Sequence, residues 1–393
     1  MGVYSRTWPN KEEELEMKRC FRTLLLLLLL LMMLTSCGYQ VPLEDTTIVF
    51  VFGIDLDEDN NLIFYESSPV FSKEAKAKTD IYHTKADTIR DSRKFFDAVT
   101  GGEVSGAKIQ ILLLGKRVVE HEDWFPILDT MYRNSNFSIN TRVVVVDGQV
   151  SDVINYEPES NALLAMYLKN VIDKNHKRTR TEKGTLQQLH TEFFDKGVTP
   201  ALANVKKGKK VEIIGTALLN DRGKYVDFLD LSESTLYLFL KHNRKHQISY
   251  TTITIPTEKE EGIFHKNDLS FEVKTVKSKV KTSHDKDRFK FDVKVSLSIV
   301  ILESLLSVDM QSHEKEIKKK IEERLKTGYV ELFKKIQGHK VDPFGFGIYA
   351  RAYQYDEFKK VEDNWGEALA EADINVSVEV DIKGMGTVNE TSK

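Results

Sequence analysis

The chain has 393 residues, 41% hydrophobic and 30% charged, the balance of an ordinary globular protein and not of a polytopic membrane protein. Its 57 Lys and Arg against 60 Asp and Glu leave a net charge of -3, so bulk charge gives no reason to expect nucleic acid; the length allows two or three domains. There are 2 cysteines, Cys20 and Cys37, both near the N-terminus, so the body of the chain has no thiol for a disulfide or a metal site and must be stabilised by packing.

Residues 17–37 come first in the chain to carry a message. Lys18, Arg19 and Arg22 precede an apolar run of about 12 residues, closed by Leu34-Thr35-Ser36-Cys37. That is the order of a bacterial secretory signal. A membrane-crossing helix needs roughly 20 apolar residues, so the run suits export better than a permanent span. Leu-x-x-Cys resembles the lipobox of bacterial lipoproteins, which assigns lipidation to Cys37: its thiol would take a diacylglycerol and become the new N-terminus. Everything from Gly38 onward is then expected outside the cytoplasm, held to a lipid bilayer. Glu12, Glu13, Glu14 and Glu16 oppose the positive start that export requires. Met17 is therefore expected to be the initiator in place of Met1, unless the positive region is unusually long.

After a polar spacer over 38–46, residues 48–55 read as a buried strand, 57–61 as a turn and 62–71 as the returning strand. Residues 81–86 suggest a third. Over 88–99, Ile89, Phe95, Phe96 and Val99 make a helical face that stops at Gly101-Gly102. Residues 109–114 have no polar face and should be covered on both sides. Residues 124–132 are predicted helical, and 142–146 form another buried strand ending at Asp147-Gly148. Helices are predicted over 160–173 and 185–195, opened by the N-cap hydroxyls Ser160 and Thr185, with a basic loop at 176–180 between them. The basic stretch 206–210 reads as a linker, and a new strand region starts at 211.

The strongest periodic signal is Phe289, Phe291, Val293, Val295, Leu297, Ile299 and Ile301, all on one face of a strand. Period two over that length is about 43 Å of strand at roughly 3.3 Å per residue. Such a strand belongs to an antiparallel sheet with one face packed and one wet. Residues 284–287 are the expected hairpin turn, with 269–282 as partner strand. A helix over 312–336 places Ile317, Ile321, Leu325, Leu332 and Ile336 inward, and Glu314/Lys318, Glu316/Lys320 and Glu322/Lys326 at favourable i,i+4 spacing outside. Asp342 as N-cap and Pro343 as first helical residue predict another helix start, with Gly345 and Gly347 explained by close packing against the sheet or the preceding helix. Asn364-Trp365 opens a last short helix, and 374–382 alternate as a closing strand.

Chemical constellations are few. His242 and His246 share a helical spacing, but Lys241, Arg244 and Lys245 surround them and no carboxylate or thiol completes a metal set. Residues 101–106 are glycine-rich yet lack the following Lys-Ser/Thr and follow a helix, so they read as a turn. Ser67 and Ser68 lack a nucleophile-elbow setting. Residues 258–261 read as a solvated acidic loop. Lys274, Lys277, Lys279 and Lys281 could face anionic lipid or an acidic partner; protection of a strand edge is the reading favoured. No catalytic, cofactor-binding or metal residue follows, and no cofactor is expected.

These elements predict a multi-domain α+β fold, with mixed sheets and packed helices and a C-terminal domain of long antiparallel strands under a long helix. The expected divisions are a signal peptide at 1–36, an N-terminal region at 37–205 (subdomains about 37–150 and 151–205), and a C-terminal domain at 206–393. The run Asp342-Pro343-Phe344-Gly345-Phe346-Gly347-Ile348-Tyr349-Ala350-Arg351, then Asn364-Trp365 and the strand from Val376, resembles the Ger(x)C family, lipoprotein C subunits of nutrient germinant receptors in endospore-forming bacteria. Gly53-Ile54-Asp55, Ala107-Lys108-Ile109 and residues 142–148 are similar too. One departure stands after Cys37, where many members carry Trp-Asp and this chain has Gly38-Tyr39-Gln40-Val41. The resemblance implies a non-enzymatic subunit at the outer face of the spore inner membrane, beside two polytopic subunits, one of them transporter-like. The alternative is an exported solute-binding lipoprotein acting with a transporter, against which stands the lack of two similar α/β lobes in the sequence.

Overall fold

The computed structural model describes residues 11–33, 42, 45–70, 77–241, 245–255, 267–306, 310 and 312–385. The chain forms two units, Met1–Thr46 and Thr47–Lys393. In the first, helix α1 (Lys11–Met33) carries the glutamate cluster and the apolar run, with Leu24 to Leu28 exposed. Among the described residues no helix is long and apolar enough to cross a membrane.

The elements of the first half are β1 (Thr46–Ile48), β2 (Val51–Leu56), β3 (Leu62–Pro69), β4 (Thr79–Lys85), α2 (Ile89–Val99), β5 (Glu103–Ser105), β6 (Ile111–Gly115), α3 (Lys116–Val119), α4 (Asp129–Arg133), β7 (Arg142–Val146), α5 (Val150–Ile154), α6 (Leu164–Lys177) and α7 (Leu186–Phe194). Then come β8 (Ala201–Lys207), β9 (Val211–Leu219) and β10 (Tyr225–Leu229). An 8-stranded sheet runs β10-β9-β8-β7-β6-β2-β3-β4, with β8, β7, β6 and β2 mutually parallel at its centre. These central strands are apolar on both faces because both are covered. Leu112, Leu114, Val143 and Val145 face one core with α2, α3 and α7, whereas Ile111, Leu113, Val144 and Val146 face the other with α5 and α6.

Three local expectations change here. The run 48–55 divides: Val49 N–H donates to Ser105 but Phe50 N–H donates to Ser67, so β1 joins β5 and β2 joins the large sheet. Thr88 and Thr185 cap α2 and α7 as predicted, but α6 starts at Leu164 without a side-chain cap, because Asn161 at φ 58° first closes a turn onto Pro158. That helix then runs through most of the predicted basic loop and buries His176. Residues 206–210 are no linker. They close a hairpin in which Lys206 pairs with Glu212 and Lys207 with Val211, inside one sheet.

The second half contains α8 (Leu231–Lys241), β11 (Lys245–Thr254), β12 (Asp268–Asp285), β13 (Arg288–Ser304), α9 (Glu314–His339), α10 (Phe346–Tyr353), α11 (Tyr355–Val361), α12 (Trp365–Ala370) and β14 (Asp373–Gly384). Lys286 and Asp287, at φ 51° and 61°, make the two-residue hairpin between β12 and β13, the turn whose twist matches the strands it joins. The seven alternating residues of β13 are all buried. β11, β12 and β13 are antiparallel, and β14 adds parallel to β13 because four helices carry the chain back across the sheet. α9 buries the five predicted residues plus Tyr329 and Phe333. On its surface Glu316 and Lys320 meet at 2.8 Å, while Lys318 stands 3.9 Å from Glu322, whose carboxylate accepts from Val380 N–H of β14. Beyond Thr275 β12 has only β13 beside it, so exposed Lys277, Lys279 and Lys281 lie where the strand is an open edge.

Candidate functional site

The residues most characteristic in sequence, 342–351, meet a segment that sequence reading passed over, 195–199. Asp342 is fully buried. Its Oδ1 accepts from the N–H groups of Gly345 (2.8 Å) and Phe346 (3.0 Å), and its Oδ2 from Gly347 N–H and Trp365 Nε1, both at 2.8 Å. It caps a helix, but α10 begins at Phe346 and not at Pro343; Gly345, at φ +77°, makes the turn that points three N–H groups at one carboxylate. Burial pushes Asp342 up to about 6, opposed by the four N–H donors, which favour the charged form.

Three contacts bind this motif to the end of α7 and the lead into β8. Thr199 and Asp342 exchange hydrogen bonds at 2.9 Å, Arg351 grips Asp195 through two bonds of 3.0 Å, and Gly347 lies against Gly197. A Cβ on Gly347 would stand 2.6 Å from Gly197 Cα, so the close approach predicted for this glycine is real, though its neighbour is neither the sheet nor α9. Phe344 and Phe346 pack with Phe333, and Trp365 meets Phe289 edge-on. The motif is thus a buried junction, not a ligand-facing patch.

Two other buried polar groups stand out. Lys241 donates to Glu192 and to the Tyr237 hydroxyl, each at 2.8 Å, and lies 3.9 Å from Glu182. Burial disfavours its charge, yet Tyr237, Glu192 and Glu182 together hold the ammonium well above its usual range. Glu66 on β3 is buried, and neither its Oε2 nor the neighbouring Ser68 hydroxyl has a hydrogen-bond partner among the described residues. Burial, reinforced by Asp97 and opposed by Arg93, pushes Glu66 up to about 8. Because that value lies above the ordinary 4.5, the folded protein holds a proton the unfolded chain releases, and stability from this group is lost as pH rises from 4.5 through 8. Glu66→Gln should match the parent near pH 4.5 and melt a few degrees higher at pH 8.5. A difference in melting temperature that is flat with pH would contradict this.

Cys37 lies outside the described residues, as do His242, residues 258–261 and the side chain of His246. No group of His, Cys, Asp and Glu that could hold a metal occurs among the described residues. The glycine-rich stretch 101–106 is a turn and the short strand β5, as expected.

Residues 39–207 match the family model described as spore germination protein N-terminal domain, and residues 214–386 match the spore germination B3/GerAC-like C-terminal model. The chain is 23% identical to Spore germination protein YndF of Bacillus subtilis (strain 168), covering 95% of this chain and 98% of that protein. It is 22% identical to Spore germination protein A3 of the same organism, covering 90% and 95%. The crystal structure of the GerBC protein shares the fold, with a TM-score of 0.56 at 15% identity over 84% of this chain and 96% of that one. Both halves of the chain, and the fold that joins them, therefore place it in the Ger(x)C family, whose members are germinant-receptor subunits.

Proposed function

We propose that this chain is the lipid-anchored subunit of a nutrient germinant receptor, acting without catalysis in receptor assembly or signalling during germination. Its partners are two polytopic membrane subunits, one transporter-like, and its place is the outer face of the spore inner membrane. The observation that carries this reading is the sequence Leu34-Thr35-Ser36-Cys37 standing just before the family-matched region, which begins at residue 39. On this reading residues 1–36 are removed and Cys37 carries the lipid. A diacylglycerol supplies two chains, which a lasting anchor needs, since one acyl chain binds only marginally. The 37–205 and 206–393 regions serve as the receptor-facing body, in keeping with the two family models.

Mass spectrometry of the mature protein should find diacylglycerol on Cys37 as the first residue. Cys37→Ala should leave the protein extractable from spore membranes under conditions that release peripheral proteins. Full retention of that variant would overturn the anchor. Detergent-solubilised receptor should carry both polytopic subunits with this chain; a chain that purifies alone, binding a solute, would favour the solute-binding alternative.

A further inference from the structure

A cleft of about 680 Å³ opens between β11, the start of α8 and the middle of α9. One bank is the free edge of the second sheet, because β11 pairs with β12 alone. Ile255 N–H donates to Asn267, and bonding alternates along an antiparallel pair. Tyr250, Thr252 and Thr254 therefore turn their N–H and C=O groups away from β12, toward the cleft.

Open edges are usually guarded by charge, proline or brevity. The other edges of this protein follow that rule: β14 carries Asp373, Glu379, Asp381 and Lys383, β4 carries Asp80 and Lys85, and β10 is 5 residues long with Asp227 inside it. Residues 249–254 of β11 read Ser-Tyr-Thr-Thr-Ile-Thr, uncharged and rich in β-branched side chains. That composition suits a strand with neighbours on both sides. The buried hydroxyl of Thr251, in the same cleft, has no hydrogen-bond partner among the described residues.

Charge indicates the neighbour's chemistry. Arg180 and Arg324 line the cleft, and neither has a carboxylate partner among the described residues. Of the cleft's acids, Asp230 caps the first N–H groups of α8 and Glu233 is bound by Lys335 at 3.0 Å, leaving Glu331 against the two guanidiniums. We infer that an extended, acidic segment of a partner protein lies in this cleft and pairs with β11 as a fifth strand, its carboxylates met by Arg180 and Arg324. Backbone bonds supply the pairing and the arginines select the acidic sequence. The inference does not depend on the anchor at Cys37.

The test is photo-crosslinking of the full-length chain in the spore-forming cells that make it, with benzoylphenylalanine at position 250 and, as control, at exposed position 381 of β14. The adduct at 250, sequenced by mass spectrometry, should be an acidic segment of another protein, absent at 381. Arg180→Glu with Arg324→Glu should cut its yield about tenfold. Thr252→Pro, which removes an outward N–H while sparing the bonds to β12, should abolish it in a protein that still melts normally. Should that variant fail to fold, the arginine pair still decides. No protein adduct at 250, an adduct indifferent to the arginine reversal, or an adduct to lipid or to a second copy of this chain would each overturn the inference.

Discussion

Asp342→Ala is expected to destabilise the Thr47–Lys393 unit by about 3 to 5 kcal/mol, far beyond the roughly 1 kcal/mol of an exposed N-cap. The carboxylate accepts four N–H bonds and is fully buried, so its removal leaves three backbone donors and the Trp365 indole without partners and beyond reach of water. Trp365 makes the loss visible, since its emission should shift when Nε1 loses its acceptor. Asp342→Asn should fall between: one oxygen still accepts, but the amide N–H₂ faces donors. Equilibrium denaturation of the exported body, lacking the first 37 residues, is the measurement. An unchanged midpoint for the alanine variant would show that the carboxylate does not hold the junction.

Gly347→Leu should also cost about 3 kcal/mol, the upper end of the overpacking range. The first added atom would already lie 2.6 Å from Gly197 Cα and 2.8 Å from both Gly197 O and Trp365 Nε1. Two of those neighbours are backbone, which cannot turn aside as a flexible side chain can. α10 would have to lift from the 195–199 segment, stretching the Arg351–Asp195 pair and the Thr199–Asp342 exchange together. Ile348→Ala, on the solvent side of the same helix, should cost less than about 1 kcal/mol. If the motif instead served as an exposed docking patch, Gly347→Leu would melt normally while the receptor failed to assemble. Measuring melting and assembly on the same variant separates the two roles.

Much of the C-terminal half was legible in advance because its signals are local. Alternation from Phe289 to Ile301 requires a strand with one dry face, and the spacing from Ile317 to Ile336 requires a helix to cover it. Lys286 and Asp287 sit in the turn the pattern demanded. Thr88 and Thr185 capped their helices because a hydroxyl three residues before a free N–H acts within one turn of chain. The Ger(x)C membership was legible too, through residues 342–351 and 364–365, though their purpose was not.

What the tertiary structure alone decided concerns partners far apart in sequence. Asp342 advertises a helix cap, but nothing in its surroundings says that Thr199, Gly197 and Asp195 will meet it, 351 and 347; the only sign is an Asp-Lys-Gly turn after α7. The parallel addition of β14 followed from where α9 to α12 deliver the chain, not from the alternation of residues 374–382, which serves either direction equally. The 206–210 hairpin looked like a linker because exposed lysines suit both, and only the pairing of Lys206 with Glu212 shows a ladder. Periodicity records which face of an element is dry. It does not record what dries it, and that choice is made by packing between segments whose separation leaves no trace in local spacing.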